Sequence, residues 1–156
     1  MNRSLAPAVV LVSLVAAGCA QPQRPFRFEL SQGGGAPIDA VAGALASEGY
    51  PPAEVDRQTG VMSTQWQDTG FLYGYIDQVA TTIVRRWIVV VSTSGPRPQV
   101  ILRMDAKNCV PGGFSIGELD FRRCVQMEGM VETHQRELDE LGHKLEKALG
   151  ASNAAG

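Results

Sequence analysis

Ser115 is the residue whose spacing comes closest to that of a nucleophile, because Gly113-Phe114-Ser115-Ile116-Gly117 sets a serine two residues from a glycine on either side. Acyl transfer from such a G-x-S-x-G turn needs a strand before it, a helix after it, and downstream acid and histidine partners on a large parallel sheet. Here the serine falls in a Gly/Pro-rich stretch, and the later histidines, His134 and His143, occupy one helical segment. The spacing therefore predicts no hydrolase. Nine residues apart, the two histidines fall on different helix faces and make no metal pair. His134 lies on an apolar stripe and is expected to be a hydrogen-bonded core or boundary histidine, and His143 a surface residue paired with Asp139 at i−4. Arg85 and Arg86 interrupt an apolar run, and adjacent strand residues point to opposite faces, so at least one should sit at an edge, a bulge or a cavity mouth. Together they could receive an anionic group, although pairing with Asp or Glu of a neighbouring strand is the expected state. No carboxylate pair of the glycosidase kind is present in the pattern. No catalytic residue, metal or cofactor is expected.

The segment that delivers the chain to its compartment is more specific. Arg3, an apolar run over Leu5 to Ala17 and the small residues before Cys19 describe a secretory signal. Val15-Ala16-Ala17-Gly18-Cys19 resembles the lipobox of bacterial lipoproteins, with Ala16 where leucine is more usual. The resemblance implies cleavage before Cys19 and diacylation of its thiol. Two acyl chains suffice for stable anchoring, at about 0.8 kcal/mol per buried methylene. The apolar run is shorter than the roughly 20 residues that a spanning helix needs, and it contains Pro7. Ala20 stands where the family's inner-membrane proteins carry aspartate, which implies the outer membrane, with the domain in the periplasm or facing outward.

Of the 156 residues, 14 are Lys or Arg and 16 Asp or Glu. Loss of Arg3 with the signal makes the mature chain slightly more acidic still, so there is no basic surplus to hold nucleic acid. Attachment to the membrane must then come from the lipid on Cys19. With that thiol acylated, Cys109 and Cys124 remain, and an oxidising compartment favours their pairing over two buried free thiols.

The rest reads as one domain. Residues 1–18 are the signal, 19–36 the anchored segment with a short strand and a Gly-rich linker, 37–150 an α+β domain, and 151–156 a frayed tail. Ala20 to Pro25 reads as a tether that holds the domain off the bilayer. Phe26, Phe28 and Leu30 alternate as a strand. A helix follows from Pro37, with Ile38, Val41, Ala42, Leu45 and Ala46 on one face and Gly49 as its stop. Ala53–Arg57 and Val61–Gln67 form a hairpin about Gly60, with Met62, Thr64 and Trp66 facing one way. Thr81–Thr93 is the strongest strand, central because it is apolar on both faces, and Gln99–Met104 is its partner. The segment from Cys109 to Cys124 is expected as a disulfide-stapled excursion. The last helix carries the stripe Met130, Val131, His134, Leu138, Leu141, Leu145 and Leu149, with a Glu140–Lys144 pair outside it and Gly150 at its end. Gly142 within this helix loses up to about 1 kcal/mol against alanine unless something packs closely there.

This order predicts an antiparallel sheet with two helices packed on one face. Ala46 to Tyr50, Glu54-Val55-Asp56 and Thr59 to Trp66 resemble the helix-grip domains of outer-membrane lipoproteins of the BamC (NlpB) type, which implies an accessory, non-catalytic role in outer-membrane assembly. The aromatic segment Phe71-Leu72-Tyr73-Gly74-Tyr75-Ile76, a glycine-hinged loop by its pattern, either offers Phe71, Tyr73 and Tyr75 as a partner surface or folds back over an open end of the sheet as ordinary core. The expected function is that of a lipid-anchored, non-enzymatic envelope protein that binds protein or envelope components. The alternative is a small-ligand or lipid carrier, with a cavity between sheet and last helix and Arg85 or Arg86 at its mouth.

Overall fold

The computed structural model describes residues 22–31, 36–76, 79–111, 119–127 and 132–150. The elements in chain order are β1 (Phe26–Glu29), α1 (Pro37–Ser47), β2 (Pro52–Asp56), β3 (Val61–Thr64), β4 (Gln67–Ile76), β5 (Val79–Ser92), β6 (Gln99–Pro111), β7 (Leu119–Gln126) and α2 (Glu132–Ala148). Seven strands among the described residues form one antiparallel sheet, so the α+β class with an antiparallel sheet is as the sequence pattern predicts.

The long β5–β6 hairpin is its spine. At the turn end, β3 lies on the outer edge of β5 and β1 on the outer edge of β6, with β2 beyond β3. At the other end β4 replaces β3, and β7 replaces β1. Both helices cover one face of the turn end. Period-2 alternation puts Trp87, Val89 and Val91 of β5 and Val100, Leu102 and Met104 of β6 on that face, where they meet Phe28, Ile38, Val41, Leu45, Met62, Leu138, Leu141 and Leu145. In the outer half of the hairpin Ile83 and Val84 are adjacent and both fully buried, so this part of the sheet is covered on both faces.

Two glycines fix the fit of these parts. Gly60 takes φ +72° in the β2–β3 turn, and its carbonyl accepts from Val91 N–H at 2.7 Å, so close that a Cβ there would lie 2.3 Å from the Val91 oxygen. Gly142 lies under the Phe26 ring, where a Cβ would stand 2.3 Å from two ring carbons. That contact is the close packing that the helix-interior glycine implies.

Several local expectations are corrected. The aromatic segment is not a loop but the strand β4, whose irregular pattern comes from bulges: two extra residues between Asp68 and Leu72, where Gly70 adopts φ +66°, and one between Leu72 and Gly74. The strand β6 runs on to Pro111, and Cys109 and Cys124 are directly opposite residues of the β6–β7 pair, so the staple lies within the sheet and does not close an excursion from it. Trp66 does not share a face with Met62 and Thr64. Four steps from Ser63 to Gln67 oppose three from Ile88 to Arg85, and the extra residue reverses the alternation. Thr64 closes that bulge by accepting the Trp87 N–H at 3.0 Å. Ala46 is exposed, while Ile38, Val41 and Leu45 of its helix are buried. Lys144 pairs with Glu48 at the end of α1, and Glu140 with Arg136. His143 pairs with Glu146, not Asp139, and its ring stands edge-on to Phe26 at 4.7 Å between centroids. Residues 22–25 are not a free tether: Gln23 and Arg24 are bonded to the domain.

Cys19, the Gly-rich linker 32–35, Ser115, Met130, Val131 and the tail 151–156 lie outside the described residues. No helix among those described is long and apolar enough to cross a membrane.

Candidate functional site

Arg85 and Arg86 organise a polar cluster on each face of the spine. Their opposite directions follow from strand geometry, and each finds a carboxylate. Arg86 bonds Asp105 of β6 at 3.1 Å, directly across the pair, as expected of a neighbouring strand. Arg85 instead bonds Glu137, which comes from α2. Its strand neighbours on the helix side, Ile83 and Trp87 along β5, Ala106 across on β6 and Gln67 across on β4, carry no acid, and the helix supplies the carboxylate.

On the helix-facing side the cluster contains Thr81, Arg85 and Trp87 of β5, Asn108 of β6, and His134 and Glu137 of α2. The Arg85 guanidinium lies 5.5 Å from the Trp87 ring centroid, and Tyr50 meets that ring edge-on at 5.6 Å. Burial holds the His134 imidazole below the ordinary histidine value of 6.5; Glu137 opposes the shift and Arg85 adds to it. Thr81 Oγ1, Arg85 Nε, Trp87 Nε1, Asn108 Oδ1 and His134 Nδ1 are buried with no protein hydrogen-bond partner. His134 is buried, as its place on the apolar stripe predicts, but its Nδ1 makes no hydrogen bond. Each such atom costs about 1–3 kcal/mol when unsatisfied, so five on one side of one sheet is a concentrated expense of stability.

On the opposite face Trp66 is in contact with two cations, the Arg86 guanidinium and the Lys107 ammonium, each 4.7 Å from its ring centroid. Asp105 also accepts from Gln126 of β7 at 2.9 Å. This stack ties the β3–β4 bulge to the β6–β7 pair. Sequence reading set Trp66 on the Met62 face because it could not see the bulge, and missed Asp105 and Lys107 because it ended the partner strand at Met104. Glu137 was legible in part, one turn after His134.

Phe71, Tyr73 and Tyr75 are placed on β4, at the sheet edge away from β6, and their side chains lie outside the described set. The structure does not bring these positions together with Arg85 or Arg86 at a common site. A surface pocket of about 440 Å³ opens elsewhere, between the first turn of α1, the β2–β3 turn and the end of β5. Its Arg57 is bonded to Asp39 at 2.9 Å, and none of the predicted site residues lines it. Among the described residues no three His, Cys, Asp or Glu side chains are grouped to hold a metal ion. No family model matches the chain, and no curated protein matches it significantly.

Proposed function

We propose that this chain is a lipid-anchored, non-enzymatic envelope protein of the bacterial outer membrane, attached through acylated Cys19, whose periplasmic domain binds protein or other envelope components. The observation that carries the reading is the filled interior: Phe28, Leu45, Trp87, Leu102, Leu138 and Leu145, from the sheet and both helices, are each less than 2% exposed. Packing of this kind makes the domain a rigid platform whose recognition must use its surfaces. The arginines of the spine are engaged with Asp105 and Glu137, so they serve the platform before any ligand. The resemblance to the helix-grip lipoproteins suggests an accessory role in outer-membrane assembly.

Fractionation tests the anchoring: Cys19→Ser protein should leave the membrane fraction, and full retention would sink it. Photocrosslinking from Tyr73 in intact membranes tests the binding role, with capture of a defined envelope component expected. Replacing Phe71, Tyr73 and Tyr75 together by serine should abolish capture with little change in melting temperature. A large fall in stability, at about 3–5 kcal/mol for each deleted core aromatic, would make these residues core and move the binding surface to the exposed face of α2.

The five unpartnered polar atoms favour a second reading, the carrier of a small polar ligand held near Arg85 and His134. Native mass measurement of protein taken gently from membranes should then show a copurifying ligand that is lost in His134→Leu. A single apo mass disposes of this reading.

A further inference from the structure

The path of the chain just before β1 defines which side of the domain an anchor can reach. The strands β1 and β7 share one edge of β6 but leave a gap between Leu102, opposite Phe26, and Lys107, opposite Gln126. Gln23 enters that gap and donates from Nε2 to the Met104 carbonyl at 2.8 Å. Arg24 is clamped by one side chain of α2: its N–H donates to Gln135 Oε1 at 3.1 Å, and its carbonyl accepts from Gln135 Nε2 at 3.0 Å. Two residues further on, Phe26 is seated against Gly142. The chain is therefore held to the domain as far back as Gln23.

Four residue steps separate Gln23 from Cys19. A fully extended chain spans at most about 3.3–3.6 Å per residue, so the Cys19 Cα can lie no more than about 14 Å from that of Gln23. Such a length does not hold a domain away from the surface to which it is attached. It brings to the headgroups whatever surface adjoins Gln23, and that surface is the end of β7. Met127 N–H bonds the Ala106 carbonyl, and Gln126 Nε2 bonds the same carbonyl at 3.1 Å, two residues along β6 from the Met104 carbonyl that holds Gln23. Val125 projects from this strand at 58% exposure, more than Val61 or Val79, the other exposed large apolar residues of the described set. The strand's sequence, Leu-Asp-Phe-Arg-Arg-Cys-Val-Gln, is apolar and basic with one acid. The opposite edge, β2, lies across β6, β5 and β3, about 19 Å away at about 4.8 Å per strand.

We infer that the anchored protein lies on the bilayer with its β7 edge against the lipid headgroups and its β2 edge turned away. The inference rests on acylation of Cys19 as proposed above, and adds to it an orientation that a free tether would not give. With β7 covered by lipid, β2, β4 and the exposed side of α1 are presented to the compartment.

The test uses the full chain, expressed in a bacterium that processes lipoproteins, with a photoreactive residue in place of Val125 or of Thr59 in the β2–β3 turn. After irradiation of membranes, the purified protein is examined by mass for phospholipid adducts. The expected result is adducts from position 125 and none from position 59. A long Gly-Ser insertion between Gln21 and Pro22 should keep the protein in the membrane fraction while position 125 loses its adducts. Adducts at both positions alike, at 59 alone, or protein adducts at 125 in place of lipid overturn the orientation when Cys19 carries its acyl mass. Persistence of 125 adducts at full yield in the insertion variant also overturns it. Retention of Cys19→Ser in membranes overturns the anchoring itself, a failure read by fractionation and so distinct from a failure of orientation.

Discussion

Replacement of Gly142 by alanine sets helix propensity against packing, and the two give opposite signs. In the interior of an isolated helix the change would stabilise by about 1 kcal/mol. In this fold the new methyl would meet Phe26 Cδ1 and Cγ at 2.3 Å and Cδ2 at 2.7 Å, well inside any real carbon contact. The ring has little room to retreat, since Phe28 stands 6.1 Å away and His143 4.7 Å away between centroids, and its strand is fixed by β6. Overpacking of this kind costs about 1–3 kcal/mol, and displacement of the ring from the α2 surface removes part of its burial as well. The net expectation is a loss of about 1–2 kcal/mol, which lowers Tm by several degrees in a domain of this size. Urea unfolding followed by tryptophan fluorescence reads the change, since Trp87 is buried in β5 and Trp66 is stacked against Arg86 from the β3–β4 bulge. A double-mutant cycle with Phe26→Leu isolates the contact: the alanine should be harmless or stabilising once the ring is gone. A rise in stability on Gly142→Ala with Phe26 in place would refute the packing argument and leave the glycine unexplained.

Non-reducing mass mapping should find Cys109 joined to Cys124, and replacement of both by alanine should cost about 3 kcal/mol in the chain-entropy account of a loop of this length. Because burial lowers the folded-state pKa of His134 below 6.5, the unfolded chain takes up a proton first as pH falls; stability is fully present above about 6.5, declines below it, and should lose this part of its pH dependence in His134→Leu. Glu137→Gln leaves the half-buried Arg85 without its acid and should destabilise by somewhat less than the about 3–5 kcal/mol of a fully buried pair, while the double variant Arg85→Met, Glu137→Leu should recover most of it; equal losses in single and double variants would argue against a desolvated ion pair.

The helices, the hairpin about Gly60 and the central strand are legible in the sequence because each carries its own periodicity and stop signal. Leu138, Leu141 and Leu145 point to one core at helical spacing, and Gly49 and Gly150 adopt the positive φ values that their stop positions suggest. The strand β4 was not legible, because bulges at Gly70 and before Gly74 erase the alternation on which strand recognition depends. The same cause hid the site cluster: Trp66 reads as a partner of Met62 until one extra residue carries it to Arg86 and Lys107. Ion pairs between elements, Arg85 with Glu137 and Lys144 with Glu48, depend on how helices lie on the sheet, which local spacing does not encode. For His143 the helical neighbour at i−4 gave way to Glu146 at i+3 and to the Phe26 ring.

The pairing of β1 with β6 also bears on the order of folding. The β5–β6 hairpin closes through its own short turn, and β3 with β4 can add to it as sequence neighbours, so these contacts form at small loop-closure cost. Phe26 must wait for Leu102, some 76 residues further along the chain, and its ring has a seat only after Gly142 has arrived on α2. The first strand is thus the last to dock. A chain stopped before α2 would keep its spine but leave β1 and residues 22–25 without their seats on Gln135 and Gly142, so that completion of the last helix is what fastens the N-terminal segment to the sheet.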